Sequence, residues 1–209
     1  MTSLPEVYLA RHGETAWTLT GQHTGRTDIP LTARGERNAR SLAPRLTGAR
    51  FARVLTSPLS RALRTCALAG FGGLAEIDPD LQEWDYGQYE GRRTADIRQE
   101  RPGWELFRDG CPGGESVEEV GARADRVLAR LRAVEGNVLV FSHGHCLRVL
   151  AARWLGLPAG AAHYFVLSTA ALSILGYEHT WDEPAIRLWN DDRHVVDEPR
   201  EPIEARGTL

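Results

Sequence analysis

Short apolar runs alternate along this chain with stretches of helical periodicity, and that alternation limits the possible folds more than any other feature. Glu6–Ala10, Phe51–Thr56, Leu74–Asp78, Val138–Ser142, Ala171–Tyr177 and Ala185–Trp189 read as strands. Between them Thr32 caps a predicted helix running to about Leu46, with Glu36 in its first turn. Ser57-Pro58 reads as the cap and first-turn proline of a helix to about Ala69. Ser116-Val117-Glu118-Glu119 has the form of a capping box, and behind it Val117, Val120, Ala124, Val127, Leu128, Leu131 and Val134 recur at helical spacing. A further helix is expected from about Cys146 to Leu155. Parallel neighbours need crossover helices, so the expected fold is α/β: a three-layer α/β/α sandwich with a largely parallel sheet. The 209 residues suit one domain, 1–209, that buries roughly 70% of its unfolded surface. Residues 79–114 hold tryptophans, glycines and charges with no clean period, and read as an irregular insertion.

Composition narrows the chemistry. The 25 basic residues are all arginine, which excludes a P-loop lysine, a lysine Schiff base and a lysine general base. Net charge is −3, so no global basic field points to nucleic acid or to a membrane. Three dispersed cysteines, Cys66, Cys111 and Cys146, suit a reducing cytoplasm better than a disulfide framework. The opening MTSLPEVYLA has neither a positive n-region nor an apolar h-region, so a signal peptide is not expected. Trp154–Tyr177, the least charged stretch, is interrupted by Pro158, His163, Ser168 and Thr169; it reads as a helix end, a loop and a strand. The polar tail after Asn190 is expected to fray.

Ligands of open α/β sheets bind beyond the carboxyl ends of the strands. Three such ends carry Arg11-His12-Gly13, Ser57 with Arg61, and His143-Gly144-His145. If these strands are neighbours, two histidines and two arginines converge beside two helix amino termini, a site for a dianion such as phosphate. Arg11 opposes a second positive charge on His12 and keeps that imidazole neutral and nucleophilic. Arg61 is electrostatically awkward in the first turn of a helix unless an anion relieves it, whereas Arg64 is expected to be exposed or paired. Glu83 lies between aromatic neighbours, Trp84 and Tyr86, that could desolvate it and make it a proton donor; Asp85 is the rival acid. His143 and His145 also have the spacing of a zinc pair, but no third histidine or carboxylate is suitably placed.

With these residues in view, the chain resembles the histidine phosphatase superfamily, also called phosphoglycerate mutase-like. The resemblance rests on RHGET (Arg11–Thr15), TGRTDIPLTARGE (Thr24–Glu36), TSPLSRALRT (Thr56–Thr65), LQEWDYGQYEG (Leu81–Gly91) and FSHGHCLR (Phe141–Arg148), in the family's order. It implies that His12 is the phosphorylated nucleophile, that Arg11, Arg61 and His143 form the phosphate pocket, and that Glu83 is the proton donor. Thr18 departs from the pattern, because many members have asparagine there. Within the superfamily the chain is most similar to the sedoheptulose-1,7-bisphosphatase type, through GQHTGRTDIPLT, QEWDYGQYEG, RDGCPGGES, SHGHCLR and TWDEPAIRL. That likeness makes Gln22, Thr24, Gly25, Tyr86, His145 and Arg148 candidate substrate contacts. Arg108 is a further candidate for a second positive cluster, and Arg92-Arg93 with Arg108 could imitate a mutase's carboxylate grip.

The expected activity is a phosphohydrolase that works through phosphohistidine on small phosphorylated metabolites, a sugar bisphosphate among them. It needs no metal or other cofactor, because the arginines neutralise charge. The alternatives are a cofactor-dependent phosphoglycerate mutase and a non-catalytic module that binds phospho-ligands. Oligomeric state is not legible in the sequence.

Overall fold

In a computed structural model, which describes residues 4–195, the chain runs β1 (Val7–Arg11), α1 (Ala16–Thr20), α2 (Ala33–Arg40), α3 (Ala43–Leu46), β2 (Phe51–Thr56), α4 (Ser60–Leu68), β3 (Ala75–Ile77), α5 (Thr94–Glu100), α6 (Leu106–Asp109), α7 (Val117–Arg132), β4 (Asn137–Ser142), α8 (Gly144–Trp154), β5 (Leu172–Tyr177) and β6 (Pro184–Asp191). The six strands form one mixed sheet in the order β3-β2-β4-β1-β5-β6. β3, β2, β4 and β1 are parallel, while β5 pairs antiparallel with β1 and β6 antiparallel with β5 at one side. The tail expected to fray lies, beyond residue 195, outside the described residues.

The sheet is apolar on both faces because helices cover both. Successive residues of β4 serve opposite cores. Val138 and Val140 join Leu9, Leu55, Val127, Leu128, Leu147 and Leu150 on the α7–α8 side. Leu139 and Phe141 join Ala10, Leu42, Leu46, Val54 and Cys66 on the α2–α4 side. β4 lies between β1 and β2 with Arg11 opposite Ser142 and Thr56 opposite Phe141. The three strand ends that carry the candidate residues are therefore adjacent, as the sequence reading required. No helix among the described residues is long and apolar enough to cross a membrane.

Several boundaries differ from expectation. The helix expected from 33 to 46 is broken at Ser41–Leu42 into α2 and α3, with Pro44 at the start of the second piece. Ser57 does not cap α4. That helix starts at Ser60, and Asp28, from a distant loop, caps it by accepting from the Ser60 amide (2.9 Å) and hydroxyl (2.8 Å). α8 begins at Gly144, two residues earlier than expected, with His143 at its N-cap. The 79–114 segment contains α5, α6 and two short 3-10 turns; helices of seven and four residues are too short to show a period. The capping box at Ser116 forms as read, with Ser116 and Glu119 bonding each other's backbone N–H.

Candidate active site

β1 delivers Arg11 and His12 to the carboxyl edge of the sheet. His12 is buried, and its Nδ1 lies 2.7 Å from the Gly13 carbonyl oxygen. A carbonyl only accepts, so Nδ1 carries the proton and Nε2 keeps its lone pair. Burial, and then the charges of Arg11 and Arg61, hold the imidazole well below the usual histidine range. Gly13 is packed against the start of α2: a Cβ there would meet Gly35 O at 2.4 Å. Its amide donates to Thr65 Oγ1 (3.0 Å), which itself donates to Arg61 O (2.7 Å).

Arg11 donates from Nη1 to Leu167 O at 2.5 Å, while its Nε is buried and has no hydrogen-bond partner among the described residues. An unpartnered guanidinium N–H costs free energy, which an anionic acceptor would offset. Gly144 makes room for it, since a Cβ on Gly144 would stand 3.1 Å from Arg11 Cζ.

Glu83 is held by three amides. Its Oε1 accepts from Trp84 N (2.9 Å) and Cys146 N (2.9 Å), and its Oε2 from His145 N (3.0 Å). The last two belong to the first turn of α8, whose amides have no acceptor within the helix. The expected aromatic cage is thus mostly a cage of amides. Trp84 turns away to pack edge-on against Phe107 and donates to Glu115 O. The rival acid, Asp85, pairs instead with Arg26 at 2.9 Å and caps Gly87 N.

One cavity of about 250 Å³ brings together Arg11, His12, Gln22, Thr24, Glu83, Tyr86, His145 and Arg148. Three candidates lie behind its wall. Arg61 is wholly buried; its Nη1 donates to Thr27 O (3.0 Å) and its Nη2 to Thr24 O (3.0 Å) and Gly25 O (2.8 Å). Its Nε donates to Nδ1 of His143 (3.2 Å), which leaves the His143 Nε2–H to donate to Ser57 Oγ at 2.7 Å. The His12 and His143 rings are 5.1 Å apart. Gly25 is buried, with its amide on Glu90 Oε1 (2.9 Å).

At the outer end, Tyr86 and His145 meet through Oη and Nδ1 at 2.5 Å. Arg148 lies over the Phe107 ring, 4.5 Å from its centroid, and donates to Ala162 O (3.2 Å). Among the described residues no carboxylate pairs with it, and burial lowers its pKa to about 10, so it remains a cation at neutral pH. Arg108 is not part of this cluster: it is exposed, paired with Asp109 at 2.8 Å, and lines a different cavity. Arg92 and Arg93 are likewise engaged, with Glu100 and Asp96.

The sequence reading missed His23, Thr94 and Leu167, which also line the cavity. His23 stacks on Tyr86 (4.7 Å between centroids), and burial lowers its pKa to about 4. Its position in GQHTGR beside Gln22 and Thr24 was the available signal. Thr18 lines the cavity too, but its hydroxyl is used in the reciprocal cap of α1, accepting from Thr15 N at 2.9 Å and donating to Thr15 O at 2.9 Å. The zinc reading of His143 and His145 fails on geometry, because both ring nitrogens of His143 and the Nδ1 of His145 already face protein partners.

Comparison with known proteins identifies the family. The chain is 43% identical over 176 residues to an acid phosphatase of Mycobacterium tuberculosis, covering 82% of this chain and 86% of that protein. It is 33% identical to sedoheptulose 1,7-bisphosphatase of Saccharomyces cerevisiae, covering 97% and 85% of the two chains. Its fold superposes on the solved structure of a Mycobacterium tuberculosis open reading frame product with a TM-score of 0.85 at 38% identity, covering 89% of this chain and 97% of that one. Residues 7–192 match the family described as the histidine phosphatase superfamily (branch 1), and the chain belongs to that superfamily.

Proposed function

We propose that the protein hydrolyses phosphate monoesters of small metabolites through a phosphohistidine at His12. The observation that carries this reading is the neutral, Nδ1-protonated His12, which lines one cavity with Arg11 and Glu83. Arg11 receives the phosphoryl oxygens with its guanidinium donors and charge. Arg61 and His143 act from behind His12: Arg61 adds positive charge to the floor and keeps His12 neutral. The bond from His12 Nε2 to phosphorus forms as the ester P–O bond breaks, and the leaving oxygen takes a proton from Glu83. Water then gives its proton to the Glu83 carboxylate and attacks phosphorus. The N–P bond breaks, and inorganic phosphate leaves. Positioning and charge stabilisation supply the catalysis, with arginine in the role of the charge-neutralising group.

Arg148 supports a narrower substrate class. It is a second cation in the same cavity, partly buried and without a carboxylate partner, which suits a ligand with a second anionic group, such as a sugar bisphosphate. Similarity to the yeast bisphosphatase points the same way. Gln22 and Tyr86 offer fewer free donors than expected, because the Gln22 amide is bonded to Gly91 O and the Tyr86 hydroxyl to His145. The three free, buried thiols fit a reducing cytoplasm.

The test is phosphate release from sugar mono- and bisphosphates, phosphoglycerates and phosphoamino acids, with and without chelator and 2,3-bisphosphoglycerate. Release in chelator with no bisphosphoglycerate requirement is expected, with inhibition by vanadate. Phosphoryl exchange that needs the bisphosphoglycerate would make the protein a mutase. No turnover of any ester would make it a binding module.

A further inference from the structure

Arg123, on α7, is a buried cation with no place in the scheme above. Its guanidinium forms a two-pronged ion pair with Glu115, Nε to Oε1 at 2.9 Å and Nη2 to Oε2 at 2.8 Å. Its remaining donors reach mainly one stretch of chain: Nη1 bonds Asp80 O and Gln82 O, each at 2.7 Å, and Nη2 reaches Glu83 O at 3.4 Å, while Nη1 also lies 3.8 Å from Cys146 Sγ on α8. Glu115 extends the grip. Its Oε2 accepts from Asp85 N (2.8 Å), its carbonyl accepts from the Trp84 indole (2.9 Å), and its amide donates to Asp85 O (2.9 Å). The backbone is thus held at 80, 82, 83 and 85, around the proposed proton donor.

Beyond the 3-10 turn at Pro79–Leu81 the gripped segment is irregular, so its carbonyls have no ladder partners and need donors from elsewhere. A buried ion pair is a weak source of stability compared with apolar side chains of similar volume. A guanidinium, however, presents five N–H groups in a rigid planar fork and can fix several acceptors relative to one another. We propose that Arg123 is a positioning residue for Glu83: with Glu115 it fixes the 80–85 backbone so that the carboxylate meets both the α8 amides and the leaving oxygen. This rests on the reading of Glu83 as proton donor. Lysine at this position would keep the charge but not the fork, and a misplacement near 1 Å can cost about 10²-fold in rate.

The experiment compares kcat/KM for an alkyl phosphate and p-nitrophenyl phosphate, since that constant covers only the steps through release of the alcohol. The variants are Arg123→Lys, Glu115→Gln, Glu83→Gln and the double Arg123→Lys/Glu83→Gln. Arg123→Lys is expected to lose about 10–100-fold on the alkyl ester and less than about threefold on the nitrophenyl ester, whose leaving group needs little protonation. Glu115→Gln should shift the ratio of the two substrates in the same direction. Arg123→Lys should add nothing to the alkyl-ester loss already caused by Glu83→Gln. Equal losses on both substrates, or additive losses in the double variant, would overturn the proposal. If Arg123→Lys misfolds, Glu115→Gln decides; loss of native near-UV dichroism in both would assign Arg123 to folding and overturn it as well. If Glu83→Gln itself shows no leaving-group dependence, the proton-donor reading fails. If only the Arg123 and Glu115 variants lack that dependence, the positioning role alone fails.

Discussion

The imidazole of His12 turns its Nδ1 toward the carbonyl oxygen of its own neighbour, Gly13, at 2.7 Å. One backbone acceptor thereby chooses the tautomer, and burial with two nearby arginines chooses the charge state. Both choices leave Nε2 unprotonated beside the Arg11 charge, and among the described residues the Nε of Arg11 has no hydrogen-bond partner.

That relationship depends on a close approach of two backbones. A Cβ on Gly13 would lie 2.4 Å from Gly35 O, and one on Gly35 would lie 2.2 Å from Glu14 O, so neither side can yield by rotating a side chain. Gly13→Ala should therefore cost about 1–3 kcal/mol of stability. Thermal melts should show a fall of about 3–10 °C in Tm, and kcat/KM should drop as the Gly13 carbonyl moves. An unchanged Tm would show that the two segments are free to separate.

Stability should fall on mild acidification. His12, His143 and His145 have pKa values pushed well below the ordinary range, first by burial and then by nearby positive charge, and burial alone brings His23 to about 4. Above pH about 6.5 these groups are neutral in both folded and unfolded chains and contribute no pH dependence. Below it the unfolded chain binds protons that the folded chain refuses, so unfolding is favoured by up to about 1.4 kcal/mol per pH unit for each such histidine. Melts in phosphate-free buffer should lose Tm steadily from pH 6.5 towards 4.5. Vanadate should oppose the loss by binding the folded state. A flat Tm across that window would contradict the neutral assignments.

The Arg148 cation predicts a preference. A bisphosphate should have a higher kcat/KM than its monophosphate analogue, and Arg148→Ala should reduce that ratio about tenfold, equivalent to ~1.4 kcal/mol. Steady-state kinetics on the pair of substrates decides it. A ratio near unity in the wild type, or one unmoved by the substitution, would leave Arg148 without a part in substrate choice.

The sequence disclosed those parts of the site that depend on adjacent residues. Arg11, His12 and His143 stand at apolar strand ends, and once β1, β2 and β4 are neighbours their meeting follows from topology. What it hid depends on contacts between distant segments. Asp28 replaces Ser57 as the cap of α4 only because a loop 32 residues away folds over that helix end. Arg61 read as a first-turn cation that an anion would relieve, yet the carbonyls of Thr24, Gly25 and Thr27 take most of its donors. The setting of Glu83 was only partly legible for the same reason: Tyr86 shares its cavity but Trp84 turns away, and amides 62 and 63 residues distant approach its carboxylate. The short helices α1, α5 and α6 offer too few turns for a period to emerge.

The central claim is a covalent bond from phosphorus to His12, and the most direct measurement traps it. The enzyme is mixed with a phosphate ester, quenched in base, digested and analysed by mass spectrometry, with a parallel acid treatment. The account predicts one added phosphoryl group on the peptide that carries His12, stable to base and lost in acid, and absent from His12→Ala along with turnover. Near-normal turnover by His12→Ala, or a phosphoryl group on any other residue, would contradict it.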